Sequence, residues 1–298
     1  MKFAAIDIGS NAIRLLFYNV LVDGEHTTFR KVSLIRMPVR LGADVFATKI
    51  ISDAKLNRLT KTMIAFKHLM DVHEVVAYKA YATSAMREAD NKEDVIRRVY
   101  NDSGIQINII DGEKEAKVIH SNRLLEKTGL KNGYIFMDVG GGSTEVSFFA
   151  PDKDSISHSY KLGTVRMLAN AVNAKEFDRL KNDLKNIKKN FKGEIVAIGS
   201  GGNINRLFKL SGIKEGKPLP VKKLKEMYEE IQSLSYEERM AKLGLNMDRA
   251  DVIEPAAYLY LFVCKQLDIK TVLVPKIGLS DGIITELYNE YLEKNKHI

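Results

Sequence analysis

Residues 138–145 read Asp-Val-Gly-Gly-Gly-Ser-Thr-Glu, directly after the apolar run Tyr134-Ile135-Phe136-Met137. A short β-branched and aromatic run bounded by glycine reads as a buried strand. Asp138 then stands at a strand end and Gly140, Gly141 and Gly142 in the turn that follows. Glycine lets the backbone approach a ligand closely, and successive backbone N–H groups can converge on one anion. Ser143 and Thr144 add hydroxyl donors. A carboxylate such as Asp138 repels phosphate unless a divalent cation lies between them, and hard oxygen ligands suit Mg²⁺.

A second stretch repeats the plan. Residues 7–19 (DIGSNAIRLLFYN) and 138–150 (DVGGGSTEVSFFA) both run from a strand-end Asp through an apolar residue and a glycine into a small polar turn and a second strand. One such loop is ordinary hairpin chemistry. Two, each heading its own half of the chain, predict two β-β-β-α domains built alike and facing each other across a cleft. The boundaries expected are 1–130 and 131–280, with the join between Gly129 and Gly133. Two loops across a cleft would hold two neighbouring phosphates, or one phosphate from both sides.

The rest of the first half reads as strands at FAAIDI, RLLFYNVLV and TTFRKVSLIRMPVRL. A helix follows over SDAKLNRLTKTMIAFKHLM, capped by Ser52 or Asp53, with Leu56, Leu59, Met63, Phe66 and Leu69 on one face. EVVAYKAYA is a strand, NKEDVIRRVYNDSG a helix stopped at Gly104, IQINII a strand, and GEKEAKVIHSNRLLEKTG a helix ended by Gly129. In the second half TEVSFFAP, SISHSYKLG, EIVAIGS and KTVLVPK read as strands. TVRMLANAVN, KEFDRLKNDLKNIKKNF, KKLKEMYEEIQSL, RADVIEPAAYLYLFVCKQL and SDGIITELYNEYLEK read as helices, and the EIVAIGS strand runs into SGGNINRLFKL.

Composition narrows the chemistry. The chain has 298 residues and a formal charge of +8. Its cations are scattered, and the densest run, Lys181–Lys192, reads as a solvated helix face rather than a nucleic-acid arm. A P-loop is absent: GIKEGKP (212–218) has the wrong spacing. GSGGNI (199–204) lacks the last glycine of a dinucleotide fingerprint. The six histidines form no paired motif and there is one cysteine, Cys264, which excludes an intrachain disulfide and argues against zinc. Cys264 lies in an apolar segment and reads as a buried, inert thiol. The longest apolar run, Ala256–Cys264, is far below the ~20 residues needed to span a bilayer, and Met1 leads straight into a strand. A cytoplasmic protein without nucleic-acid or membrane partners is expected.

With both loops in view, the chain resembles the exopolyphosphatase/guanosine pentaphosphate phosphohydrolase (Ppx/GppA) family of the actin-like ATPase superfamily. DIGSNAIRL and DVGGGSTE look like its two phosphate loops. TSAMREADN (83–91) and IIDGEKEA (109–116) resemble its arginine and glutamate elements, and LGTVRM, ADVIEPAA and IGLSDGI follow in order. The resemblance, to the short form of the family, implies an α/β fold of two actin-like (ribonuclease H-like) domains. It also implies that the last helix, about 281–298, packs back on the first domain. The implied activity is hydrolysis of the terminal phosphate of inorganic polyphosphate or of the 5′ γ-phosphate of pppGpp. Three departures stand out: Asn11-Ala12 for Asn-Ser, Asp111-Gly112 for Ser-Gly, and Gly199-Ser200-Gly201-Gly202-Asn203 for the nucleotide-side loop.

The resemblance also implies roles. Glu115 is the general base, and its neighbour Glu113 fits a helix N-terminus equally well, so the resemblance alone decides between them. Arg87 neutralises the transferred group, unless it merely pairs with Glu88 or Asp90. Asp7, Asp138 and Glu145 approach Mg²⁺, Glu145 also orienting the water. Ser10, Asn11, Gly140, Gly141, Gly142 and Ser143 cradle phosphate. Lys161, Arg166 and Lys79 read as surface residues that could extend a basic track. A small-molecule kinase of the same superfamily and a non-catalytic polyphosphate or pppGpp sensor are the alternatives, and the second half allows a homodimer.

Overall fold

A computed structural model describes residues 1–24, 26–120, 132–151 and 155–295. The helix end expected at Gly129 lies outside those residues, as does most of the expected join. The chain divides into two compact units: Met1–Asn122 with Leu279–Ile298, and Arg123–Gly278.

The first unit runs β1 (Lys2–Ile8), β2 (Ile13–Asp23), β3 (His26–Met37), α1 (Leu41–Thr48), α2 (Asp53–Val72), β4 (Ala77–Ala82), α3 (Ser84–Glu88), α4 (Lys92–Ser103), β5 (Ile107–Ile109) and α5 (Gly112–His120). Its sheet has the order β3-β2-β1-β4-β5, with β1-β2-β3 antiparallel and β4 and β5 parallel to β1. A central strand is covered on both faces, so β1 is apolar almost throughout; Phe3 to Ile8 are all buried.

The second unit runs β6 (Gly133–Val139), β7 (Thr144–Phe149), β8 (Ile156–Tyr160), α6 (Thr164–Leu168), α7 (Ala174–Asn190), β9 (Ile195–Ser200), α8 (Gly201–Leu210), β10 (Leu219–Pro220), α9 (Val221–Ser233), α10 (Tyr236–Leu243), α11 (Met247–Ala250), α12 (Ile253–Gln266) and β11 (Thr271–Leu273). Its sheet, β8-β7-β6-β9-β11-β10, repeats the first order and adds a two-residue edge strand. One face carries the core, where Ile135, Met137, Val146 and Phe148 meet Leu180, Leu184, Leu207 and Tyr260.

The last helix, α13 (Leu279–Asn295), belongs to the first unit. It buries Leu279, Ile283, Ile284, Leu287 and Tyr288 against Phe3, Ala5, Val20, Val118 and Ile119. Each fully buried side chain of this kind contributes about 1.5–3 kcal/mol.

Several local readings are corrected. The third strand stops at Met37 rather than Leu41, because Pro38 lacks an N–H and Arg40 turns the chain at φ 57°. The next eight residues form α1. Ser52, not Asp53, caps α2, its hydroxyl accepting from the Lys55 N–H. Met70 rather than Leu69 completes the buried face of that helix. Helix α10 was not foreseen, although Ser235 and Glu238 form a capping box at its start. Gly104 ends α4 at φ 70°, as expected.

No helix among the described residues is long and apolar enough to cross a membrane. Cys264 is buried and unpaired with another cysteine, and burial pushes its thiol up to about 12. The native protein at pH 8 should therefore resist a disulfide-type thiol reagent and react fully once unfolded in guanidinium. Rapid modification of the native protein would show that α12 is not packed as described.

Candidate active site

The two glycine turns are built alike. In the first, the Gly9 N–H donates to the Ala12 carbonyl at 3.1 Å, leaving Ser10-Asn11 as a two-residue hairpin loop. In the second, the Gly140 N–H donates to the Ser143 carbonyl at 2.9 Å, leaving Gly141-Gly142. None of these loop glycines has a positive φ. A strap from elsewhere in each unit packs against these turns.

The strap comes from the start of the next helix. In the second unit the Gly140 carbonyl accepts from Thr164 N–H (3.0 Å). The Gly141 carbonyl accepts from Val165 N–H (2.8 Å) and Arg166 N–H (3.0 Å), and the Gly142 carbonyl from Arg166 Nε (2.8 Å). A Cβ on Gly163 would overlap the Gly141-Gly142 backbone. In the first unit the Ser10 carbonyl accepts from Gly42 N–H (2.8 Å) and the Asn11 carbonyl from Arg40 N–H (3.0 Å).

A planar trans peptide points its C=O and the following N–H in opposite directions, and there is no cis peptide among the described residues. Three carbonyls turned toward α6 therefore turn the N–H groups of Gly141, Gly142 and Ser143 away from it. In the first unit the N–H groups of Asn11 and Ala12 face away from α1. Such runs of backbone N–H groups form anion-binding concavities. The Ser10 hydroxyl beside them is buried and has no hydrogen-bond partner among the described residues. An anion oxygen is the partner its position suits.

The strap was missed from sequence, though a signal exists. Arg40-Leu41-Gly42 and Lys161-Leu162-Gly163 repeat the same cation-Leu-Gly triplet after the third strand of each unit. Arg166 is correspondingly not a surface residue. It is buried, and its guanidinium holds the Gly142 carbonyl.

The strand-end carboxylates differ between the units. Asp7 lies directly across from Arg14, whose Nη1 donates to its Oδ2 at 2.5 Å. Asp138 lies directly across from Glu145. The Asp138 Oδ2 accepts from Ser200 Oγ (3.0 Å) and the Glu145 Oε1 from Ser159 Oγ (2.8 Å). Gly201, at φ 85°, passes so near Asp138 that a Cβ there would overlap its carboxylate. Asn203 Nδ2 donates to the Val139 carbonyl at 2.7 Å. The altered Gly199–Asn203 stretch thus serves to hold Asp138 and its strand end.

Two carboxylates across neighbouring strands repel unless something positive joins them. Among the described residues no three acid, histidine or cysteine side chains group to hold a metal by themselves. The donor set of Asp138 and Glu145 fits Mg²⁺, which binds through one or two carboxylates and completes its shell with water and phosphate oxygens.

Glu115 and Arg87 come together in the first unit. Arg87 Nη1 lies 3.9 Å from Glu115 Oε2, donates to the Ile110 carbonyl at 2.5 Å, and Nη2 donates to Ser84 Oγ at 3.2 Å. Glu88 pairs with Lys49 instead, at 3.1 Å. Glu115 is buried while Glu113 is exposed, a distinction the sequence does not carry. Asp111 caps α5, its Oδ1 accepting from Lys114 N–H at 2.7 Å. A serine at that position caps in the same manner, so the Asp111-Gly112 departure conserves the helix start. Lys79, read as a surface residue, is instead mostly buried and paired with Glu286 and Glu290.

Comparison with known proteins follows the same lines. The model of the Ppx/GppA phosphatase family matches residues 20–290. The chain belongs to that family. A guanosine-5′-triphosphate,3′-diphosphate pyrophosphatase of Vibrio campbellii is 24% identical over 302 residues, covering 97% of this chain and 59% of that protein. Exopolyphosphatase 1 of Mycobacterium tuberculosis is 29% identical over 168 residues, covering 56% of this chain and 48% of that protein. The chain thus spans about half the length of these relatives. The crystal structure of an exopolyphosphatase from Cytophaga hutchinsonii shares the fold, with a TM-score of 0.83 at 21% identity and 99% of both chains covered. The mixed α/β fold expected for this family is thus the one found.

Gly163→Ala should force the strap off the second loop. A loss of about 1–3 kcal/mol is expected from the overpacking, measured by urea denaturation. Wild-type stability in that variant would mean the strap does not touch the loop.

Proposed function

We propose that this chain is a phosphohydrolase acting on phosphoric anhydrides, releasing the terminal phosphate of inorganic polyphosphate, the 5′ γ-phosphate of pppGpp, or both. The observation that carries this reading is the buried Glu115 carboxylate 3.9 Å from the Arg87 guanidinium. That pair stands in the unit that also presents a phosphate-type loop. The names of the two relatives point to the same two substrates.

Glu115 takes a proton from water as the water oxygen bonds to the terminal phosphorus. The bridging P–O bond breaks, orthophosphate leaves, and the remaining chain is one phosphate shorter. Phosphoryl transfer relies on positioning and charge neutralisation more than on covalent catalysis. Arg87 neutralises the equatorial oxygens, since a guanidinium matches phosphate in a bidentate fashion. In the first unit the Asn11 N–H and the Ser10 hydroxyl bind phosphate oxygens; in the second the N–H groups of Gly141, Gly142 and Ser143 do so, Gly140 closing that loop. Asp138 and Glu145 would hold Mg²⁺, with Asp7, already engaged by Arg14, in a supporting role. The bound ion supplies charge neutralisation between carboxylates and substrate.

The test is phosphate release with Mg²⁺ from long polyphosphate, tripolyphosphate, pppGpp and ATP. Glu115→Gln should lower kcat by at least ~10², whereas Glu113→Gln should leave it within about twofold. Equal losses in both variants would remove the assignment of the base, and no release from any substrate would remove the hydrolase reading.

A further inference from the structure

A polar cluster on the far side of α5 has no part in the chemistry just described. Glu286 of α13 lies at its centre. Its Oε1 accepts from the Tyr81 hydroxyl at 2.6 Å and from Lys79 Nζ at 3.1 Å, and Lys114 Nζ lies 3.5 Å away. Lys79 also reaches Glu290 at 2.5 Å. Both ammonium groups sit over the Tyr81 ring, at 5.5 and 5.0 Å from its centre. Burial raises the Glu286 carboxyl, but the Tyr81 and Lys79 hydrogen bonds and the two lysine charges outweigh it and hold the group below the usual carboxylate range. It is charged at neutral pH.

The partners come from two places that matter. Lys79 and Tyr81 lie on β4, the strand that leads into Thr83 and α3, where Arg87 stands. Lys114 lies in the first turn of α5, next to Glu115. Helix α5 carries Glu115 in its first turn, so the aim of Glu115 is set by what α5 rests on. Directly below that turn, a Cβ on Gly282 would overlap the Val118 carbonyl oxygen, so α13 and α5 meet backbone to backbone.

We propose that Glu286 is a positioning residue for the hydrolysis: from α13 it clamps β4, which delivers Arg87, to α5, which delivers Glu115. A carboxylate accepting from one strand and facing a lysine of the helix fixes both elements with one group. A cavity of about 440 Å³ beside the cluster is lined by Glu286 and Asn289 of α13 and by Lys114, Lys117 and Val118 of α5, so Glu286 stands where the two helices face each other. The proposal rests on the reading of Glu115 as base.

The test combines kinetics with hydrogen exchange. Glu286→Ala should lower kcat by about tenfold to a hundredfold, the cost of a displaced catalytic group, with KM for tripolyphosphate within twofold. Glu286→Gln keeps an acceptor for the Tyr81 hydroxyl and should recover most of the loss. In a Glu115→Gln background, Glu286→Ala should cost much less than in the wild type, because the base it aims is gone and only the placement of Arg87 is left to lose. Amides 114–119 should exchange faster in Glu286→Ala while those of α2 do not. An unchanged kcat, or the same loss with and without Glu115, overturns the positioning role. If Glu115→Gln is itself silent, the base assignment fails. Exchange in α5 then decides the clamp alone: faster exchange at 114–119 upholds it and unchanged exchange removes it.

Discussion

The two glycine loops depend on a hydrogen-bond constraint that carries no charge. Each two-residue turn after a strand-end Asp gives its carbonyls to a strap at the start of the next helix. Peptide planarity then sends the following N–H groups the other way. The strap needs glycine, because at Gly163 a side chain would overlap the loop backbone and at Gly42 it would crowd Ser10 and Phe46. A row of backbone N–H groups facing away from the strap arises from where the carbonyls are tied, and the hydroxyls and charges around it are additions.

On this shared frame the two units diverge at one cross-strand position. Arg14 faces Asp7 in the first, and Glu145 faces Asp138 in the second. A cation there pairs with the strand-end acid, while a second acid sets two carboxylates side by side. Ser159 and Ser200 each hold one acid of that pair by a hydrogen bond. The same fold element thus gives a neutralised loop in one unit and a dicarboxylate in the other. The first unit then adds Arg87 and Glu115 from elements following β4 and β5.

Much of this was legible in the residues. A strand-end Asp followed by a glycine turn and a second strand is a local pattern, and its repetition at 7 and 138 carried the two-unit fold. The strand-helix order followed from periodicity, except where one element blurs into the next. Helix α1 was hidden because its apolar residues continue those of β3, and only Pro38 marks the break. Long-range partners were not legible. Glu88 is next to Arg87 in sequence, yet Arg87 turns to Ile110 and Glu115. Arg166 looks like any helix arginine until Gly142 is known to lie beneath it. Glu113 and Glu115 differ by two residues, and only the packing of α5 buries one and exposes the other. These distinctions arise from contacts between residues roughly 20 to 200 positions apart, which no local spacing encodes.

The most direct measurement is amide chemical-shift mapping of the ¹⁵N-labelled Glu115→Gln protein titrated with inorganic tripolyphosphate and Mg²⁺. The N–H signals of Asn11, Gly141, Gly142 and Ser143 should move together and saturably, while the N–H groups of Thr164 and Val165, already given to loop carbonyls, move little. Saturable binding that leaves the loop amides unmoved would contradict the account, because the backbone surface built by the straps would then not be what holds phosphate.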